Sequence, residues 1–173
     1  KDLEPYMATQ YDIGLEWYFQ RGSVLGMGLF RKNVENFAVP VVRDVTLDLG
    51  GESVAVQNYS TRAGGRDAVS KGIELYAQHT FASGIGFQAN YTYNKTNQAA
   101  ITLADGTDIG TSPLIGSAKN QANLTVFYST DRLMLRASYN RRGEVVNGLV
   151  NGLNEYVEPY SQIDLNAAYN FTK

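Results

Sequence analysis

Cysteine is absent from the 173 residues, which excludes a disulfide framework and any thiolate metal site. Histidine occurs once, as His79. A metal needs several converging ligands, so the expected role of His79 is structural or interfacial. No apolar run approaches the roughly 20 residues of a membrane-spanning helix, and Lys1-Asp2-Leu3-Glu4-Pro5 lacks the apolar core of a signal peptide. Charged residues make up 18% of the chain and the net charge is −2, leaving neither a basic patch for nucleic acid nor an acidic tail. No Ser-His-Asp order, nucleophile elbow or phosphate-binding glycine loop is found. The reading is therefore no enzyme, no cofactor and no metal.

What the chain does contain suits strands and tight turns: 12 Tyr and 17 Gly against only 4 Pro. Apolar and polar residues alternate along seven segments. Tyr11, Ile13, Leu15, Trp17 and Phe19 share one face, opposite Asp12, Gly14 and Glu16. The same period of two runs through 72–81, 87–94, 121–128, 133–140 and 162–171. A period of two is strand periodicity. The segment near 23–37 is less regular. Leu25, Met27 and Leu29 alternate, whereas Phe30, Val34 and Phe37 fall out of phase, as a bulge would cause.

The connections alternate in length. Gln20-Arg21-Gly22-Ser23, Ala82-Ser83-Gly84 and Thr130-Asp131-Arg132 read as tight hairpin turns. Long connections lie near 38–66, 95–117 and 141–159. In the first, Val45, Leu47 and Leu49 before Gly50-Gly51, then Val54 and Val56, predict a projecting hairpin. Pro5, Pro40, Pro113 and Pro159 all fall at or beyond the ends of the long connections, where a missing N–H breaks no ladder. Short turns on one side and long loops on the other describe a transmembrane β-barrel of the bacterial outer membrane. Chain direction puts Trp17, Phe19, Phe81, Tyr128 and Phe171 at the short-turn ends, and Tyr91, Tyr93 and Tyr139 toward the long-loop ends. Those are the heights of the two aromatic girdles. The mean hydropathy of −0.28 is compatible with a barrel, because only every second residue faces lipid. A soluble barrel would alternate too, but the polar face here is rich in Asn, Gln, Thr and Gly and lacks evenly spaced Lys and Glu. It suits a hydrated lumen. On that face Glu16, Glu74, Asn90, Arg136, Asn140 and Asp164 are expected to form a polar network.

The order of elements resembles the C-terminal barrel of TonB-dependent receptors. The likeness is carried by Leu3-Glu4-Pro5 with Tyr11-Asp12-Ile13-Gly14-Leu15-Glu16-Trp17-Tyr18, and then by Val24 to Phe30 with Arg31-Lys32-Asn33-Val34-Glu35-Asn36-Phe37. It continues through Lys71-Gly72-Ile73-Glu74-Leu75, Phe87-Gln88-Ala89-Asn90-Tyr91-Thr92-Tyr93, Pro113, Ala122-Asn123-Leu124 and Arg136-Ala137-Ser138-Tyr139-Asn140-Arg141-Arg142. The resemblance implies an all-β antiparallel fold, with residues 1–173 supplying about seven strands of a barrel of about 22. It implies that the plug domain and a final hairpin lie outside this segment. It implies uptake of a scarce ligand across the outer membrane, energised by TonB acting through the plug, with outer-membrane lipid and a small-molecule or oligosaccharide ligand as the other partners. The strands look closest to members several of which take up oligosaccharides; siderophore receptors share the same motifs. The alternatives are a free-standing eight-stranded barrel with a structural or adhesion role, and a soluble β-barrel binder.

In the loops, Tyr59, Tyr156 and Tyr160 are candidate stacking surfaces for a ligand. Asp44, Asp48 and Glu52, and Asp105 with Asp108, depart from the calcium-loop pattern and read as solvated charge. Asn58, Asn90, Asn94, Asn123 and Asn170 begin Asn-x-Ser/Thr triplets that strand alternation produces by itself.

Overall fold

The computed structural model describes residues 5–99, 111–150 and 153–171. Among the described residues there are nine strands: β1 (Met7–Gln20), β2 (Ser23–Leu49), β3 (Glu52–Thr80), β4 (Ile85–Gln98), β5 (Asn120–Ser129), β6 (Leu133–Arg142), β7 (Val145–Val150), β8 (Leu153–Val157) and β9 (Tyr160–Tyr169). Seven of them form one antiparallel meander in the order β1-β2-β3-β4-β5-β6-β9, and β7 pairs with β8 in a separate two-stranded sheet. The sheet is open, with β1 and β9 as its edges. The seven alternating segments of the sequence are the seven strands of this sheet.

Directly opposed residues of an antiparallel pair point to the same face, so the register assigns every side chain a face. One continuous row reads Trp17, Leu25, Ala77, Ala89, Leu124, Tyr139 and Ile163 across all seven strands. The neighbouring row on the opposite face reads Glu16, Gly26, Tyr76, Asn90, Asn123, Asn140 and Gln162. The sheet has one apolar and one polar surface. Among the described residues no packed layer covers the apolar one: Leu15, Leu124 and Leu165 are 69%, 43% and 78% exposed.

Strands β5, β6 and β9 have 10 residues each, the length at which a tilted strand crosses a bilayer. β2 and β3 are far longer, at 27 and 29 residues. Beyond Phe37 they continue as the hairpin read from the sequence, pairing Val45 with Val56, Leu47 with Val54 and Leu49 with Glu52. At ~3.4 Å per residue the arm adds roughly 40 Å of strand. Gly50 and Gly51 close it with φ of 70° and 98°, the left-handed pair that a two-residue hairpin turn demands. The Asp48 carboxylate accepts the Gly51 N–H at 2.8 Å, and Asp44 accepts the Asn58 N–H at 2.8 Å. These two acids hold the hairpin and are not merely solvated charge. Asp105 and Asp108 lie outside the described residues.

The bulge expected in the second strand is corrected in part. β2 pairs without a break with β1 from Leu25 to Glu35, and with β3 from Val24 to Val34. Phe30 and Val34 therefore owe their phase to no slip. The shift comes later, between Val34 and Phe37, where Asn36 takes a φ of 58°. The third long connection is also more ordered than a loop, since it holds the β7–β8 hairpin.

Among the described residues the buried apolar side chains are Ala68, Ala118, Val145 and Val146, and the buried polar ones are Ser23, Gln98 and Ser112. All but Ser23 sit at the base of the long connections, where the segment 111–119 runs between β4 and β7. Backbone bonds tie it on both sides: Gln98 N–H to the Ser112 carbonyl at 2.9 Å, Gly116 N–H to that of Val146 at 2.8 Å, and Gly143 N–H to that of Asn120 at 2.7 Å. Among the described residues, most of the buried side chains lie at this loop base.

Candidate functional site: the polar face and the loop base

Three of the aromatic rings on the polar face are each opposed by a glycine on the next strand. Tyr76 pairs with Gly26, Phe30 with Gly72 and Phe127 with Gly86. A Cβ added at any of the three glycines would run into the opposing ring. The missing side chain is what lets the ring lie flat across the strand. This explains Phe30, whose ring covers Gly72. It also positions Tyr76, whose hydroxyl reaches over Gly26 to donate to Glu16. Tyr18 donates to the same carboxylate.

Farther along the face, Asn123 Nδ2 donates to Asn90 Oδ1 at 2.6 Å, and Thr125 and Ser138 join their hydroxyls at 3.0 Å. Arg136 Nε donates to Ser138 Oγ at 3.3 Å. Asp164 accepts from Gln162 Nε2 at 2.7 Å and from Asn140 Nδ2 at 3.3 Å. Arg136, Asn140 and Asp164 line one groove of about 460 Å³ with Thr125, Ser138 and Asn166. The six expected network residues are thus divided between two ends of the sheet. Glu16 lies with Tyr18 and Tyr76 near β1, Asn90 on β4 bonds Asn123, Arg136, Asn140 and Asp164 line the β5–β9 groove, and Glu74 has no hydrogen-bond partner among the described residues. No ion pair joins Glu16, Glu74, Arg136 and Asp164 to one another.

The three loop tyrosines sit on three elements. Tyr59 opposes Arg43 on the projecting hairpin. Tyr160 opens β9 and donates to Gln162 Oε1 at 2.8 Å. Tyr156, on β8, lines a pocket of about 290 Å³ at the loop base with Tyr93, Lys95, Pro113, Lys119 and Glu144. No ring contact joins any two of the three. The pocket wall is fixed by Asn94, whose Oδ1 accepts from Ser70 at 2.9 Å and whose Nδ2 donates to Ser117 at 3.2 Å, and by Thr96, which accepts the Leu114 N–H at 3.0 Å. Sequence reading missed this pocket because its residues come from strand β4 and two separate connections. Its one local signal was Asn151-Gly152 between two alternating runs, a hairpin dipeptide.

At the short-turn end the aromatic residues cluster on the apolar face around His79. Its ring stacks on Phe19 at 5.7 Å, meets Phe81 edge-on at 4.1 Å and lies 6.3 Å from Phe87. His79 Nδ1 bonds the buried Ser23 hydroxyl at 2.7 Å. Trp17 touches Phe19 at 5.4 Å, and Tyr169 touches Phe171 at 5.1 Å. Tyr128 lies on the same face at that end, opposite Ile85 and Leu135. Toward the long-loop end, Tyr91 donates to Asn120 Oδ1 at 2.9 Å, and the Lys119 ammonium lies 5.9 Å from the centre of the Tyr93 ring. Tyr139 opposes Leu124 and Ile163 on the apolar face.

The family described as TonB dependent receptor-like, beta-barrel matches residues 1–173. Among solved structures, the ferric-catecholate import receptor Fiu from K12 E. coli superposes with a TM-score of 0.68 at 19% identity, over 99% of this chain and 22% of that one. The siderophore receptor PiuA from Acinetobacter baumannii gives 0.68 at 21%, over 96% and 22%. FpvA from P. aeruginosa, in complex with pyoverdine and iron, gives 0.64 at 20%, over 98% and 22%. Among curated proteins nothing matches. The chain spans under a quarter of the length of these three receptors, and its open sheet is a fragment of a larger barrel wall. It belongs to the TonB-dependent receptor family, as part of the β-barrel of an outer-membrane protein.

Proposed function

We propose that this segment is barrel wall and loop base of a receptor that takes up a scarce ligand across the outer membrane, with TonB supplying the energy through a plug encoded elsewhere in the receptor. The carrying observation is the two-faced sheet: unbroken apolar rows on one side and polar rows on the other, across seven strands. In hydrocarbon only a closed barrel satisfies its strand edges, and the wall faces lipid with its apolar rows and lines a hydrated interior with its polar ones. The short turns lie at the periplasmic rim, and the projecting hairpin and loop base lie outside. Trp17, Phe19, Phe81, Tyr128 and Phe171 form the girdle at the first rim, and Tyr91, Tyr93 and Tyr139 the girdle at the second.

The ligand class favoured is a ferric siderophore rather than an oligosaccharide, in keeping with the ligands named for the similar structures. The pocket walled by Tyr156, with Lys119 at its edge, suits an aromatic, anionic chelate. Tyr59 and Tyr160 offer outlying surfaces. The open seven-stranded sheet and the family match over the whole chain speak against a free-standing eight-stranded barrel. Uptake of a radiolabelled ferric siderophore, in strains lacking this receptor or lacking TonB, tests the reading. Both should fall to background, and undiminished uptake in either would refute it. Tyr156→Ala in the full receptor should weaken ligand binding about two- to tenfold, since loss of one ring contact is worth about 0.5–1.5 kcal/mol.

A further inference from the structure

The turn of the β7–β8 hairpin, which carries Tyr156, occurs twice in the sequence. Residues 146–149 and 150–153 both read Val-Asn-Gly-Leu, and Asn-Gly is the dipeptide best suited to a two-residue hairpin turn. The fold uses the second copy: β7 ends at Val150, β8 begins at Leu153, and these two residues pair. The first copy lies inside β7, where the ladder slips between Val146 and Gly148 and leaves Asn147 as the extra residue. Asn and Gly are poor strand formers. Nor does the observed strand need a glycine at this position. Gly148 is not in the left-handed region, and an added Cβ would meet only the Glu155 carboxylate, at 4.0 Å. The spare dipeptide stands in a sheet of two strands, a unit of marginal stability by itself. One strand of the hairpin is pinned. Val145 and Val146 are buried, Val145 bridges Ala118, and the Val146 carbonyl accepts the Gly116 N–H at 2.8 Å. Among the described residues the other strand, β8, pairs with β7 alone.

We propose that the β7–β8 hairpin exchanges between two registers, one turning at Asn151-Gly152 and one at Asn147-Gly148, and that only the first supplies Tyr156 to the loop-base pocket. Turning at the first copy sets Leu149 opposite Val146 and Val150 opposite Val145, in the register positions that Tyr156 and Val157 hold in the structure. Valine replaces valine at one pair, so the pinned strand keeps a partner of the same kind. Leucine replaces tyrosine at the other, and the pocket lined by Val146 and Tyr156 loses its ring. Residues 151–159 then become the connection to β9. Closing that longer loop costs little more, because the entropy grows only with the logarithm of its length. The first register has more paired residues; the second removes the bulge and returns freedom to β8. A ligand that stacks on Tyr156 selects the first register, because the second offers it no ring. The exchange stands on the hairpin alone, whereas its effect on ligand rests on the pocket reading above.

The test uses cysteine pairs in the full receptor, bridged by a mild oxidant in outer-membrane preparations; this segment supplies no competing thiol. The pair L149C/N154C is opposed in the observed register, and V145C/V150C only in the other. In the observed register Val145 and Val150 lie on one strand, about 17 Å apart, beyond the ~7 Å that a disulfide can span. Both pairs should bridge. Gly148→Thr forbids the second turn, so it should slow the V145C/V150C bridge about tenfold and leave L149C/N154C intact. Gly152→Thr forbids the first turn and should speed the V145C/V150C bridge about tenfold. Heat-modifiable gel mobility reports that each variant is folded, and Gly148→Thr carries the test if Gly152→Thr is not. A V145C/V150C pair that fails to bridge, or that bridges equally with and without Gly148→Thr, would overturn the proposal. A ferric tris-catecholate added before the oxidant should suppress the V145C/V150C bridge. If it does not, while the threonine variants act as stated, the exchange stands and the pocket reading falls.

Discussion

Gly26 and Gly28 lie two residues apart on β2, on the same polar face, yet their surroundings call for opposite responses to an added methyl group. At Gly28 a Cβ would meet the Glu74 Cβ at 3.8 Å, an ordinary contact. Gly28→Ala should therefore stabilise by about 0.4–1 kcal/mol, because the unfolded chain loses freedom. At Gly26 the same Cβ overlaps the Tyr76 ring. The ring must swing off its rotamer, at about 0.5–1.5 kcal/mol, and its hydroxyl leaves Glu16. Since the backbone gain is common to both positions, the ring's displacement should leave Gly26→Ala less stable than Gly28→Ala by about 0.5–1.5 kcal/mol. Urea unfolding of the full receptor in liposomes measures both. A Tyr76→Ala background isolates the cause, since without the ring Gly26→Ala should stabilise as Gly28→Ala does, a coupling that the double-mutant cycle reads directly. Equal effects at Gly26 and Gly28, or an undiminished cost in the Tyr76→Ala background, would refute the reasoning.

Three further outcomes are expected. Leu165→Arg places a charge at mid-strand on the apolar face and should cost about 2–4 kcal/mol in the same liposome titration; no loss would reverse the assignment of faces. Ser23→Ala leaves His79 Nδ1 without its partner in a largely apolar cluster and should destabilise by about 1–3 kcal/mol, seen as a lower urea midpoint. Asp48→Ala frees the Gly51 N–H and should raise amide exchange at the hairpin tip while leaving the β5–β6 amides unchanged, because the effect is local.

Much of the fold is legible in the chain because its physics is local. Leu124, Val126 and Tyr128 announce their face through a period of two, and Gly50-Gly51 announces its turn through the φ values that only glycine adopts without strain. Phe30 misleads because its position depends on Gly72, 42 residues away in sequence, and no window of neighbours holds that information. The loop base is illegible for the same reason. Val145 and Val146 look like ordinary alternation, and only the fold brings Ala118 and the 111–119 limb against them. The polar network was anticipated by residue type, but its division into a β1-side cluster and a β5–β9 cluster follows from register. Tyr156 was picked as an exposed ring; the Lys95, Lys119 and Glu144 around it could not be.

The glycine–ring pairs between β2 and β3 bear on how the barrel assembles. A slip of one residue is blocked because it turns every apolar side chain to the wet side, but a slip of two preserves facing and escapes that check. The two pairs are reciprocal, with the ring on β3 at Tyr76 and on β2 at Phe30. Sliding so that Tyr76 opposes Gly28 would drive Phe30 against Glu74, and sliding the other way would set Tyr76 on Val24. Each displaced alignment leaves an aromatic ring opposite a filled position, so this hairpin recognises its own alignment before the wall closes.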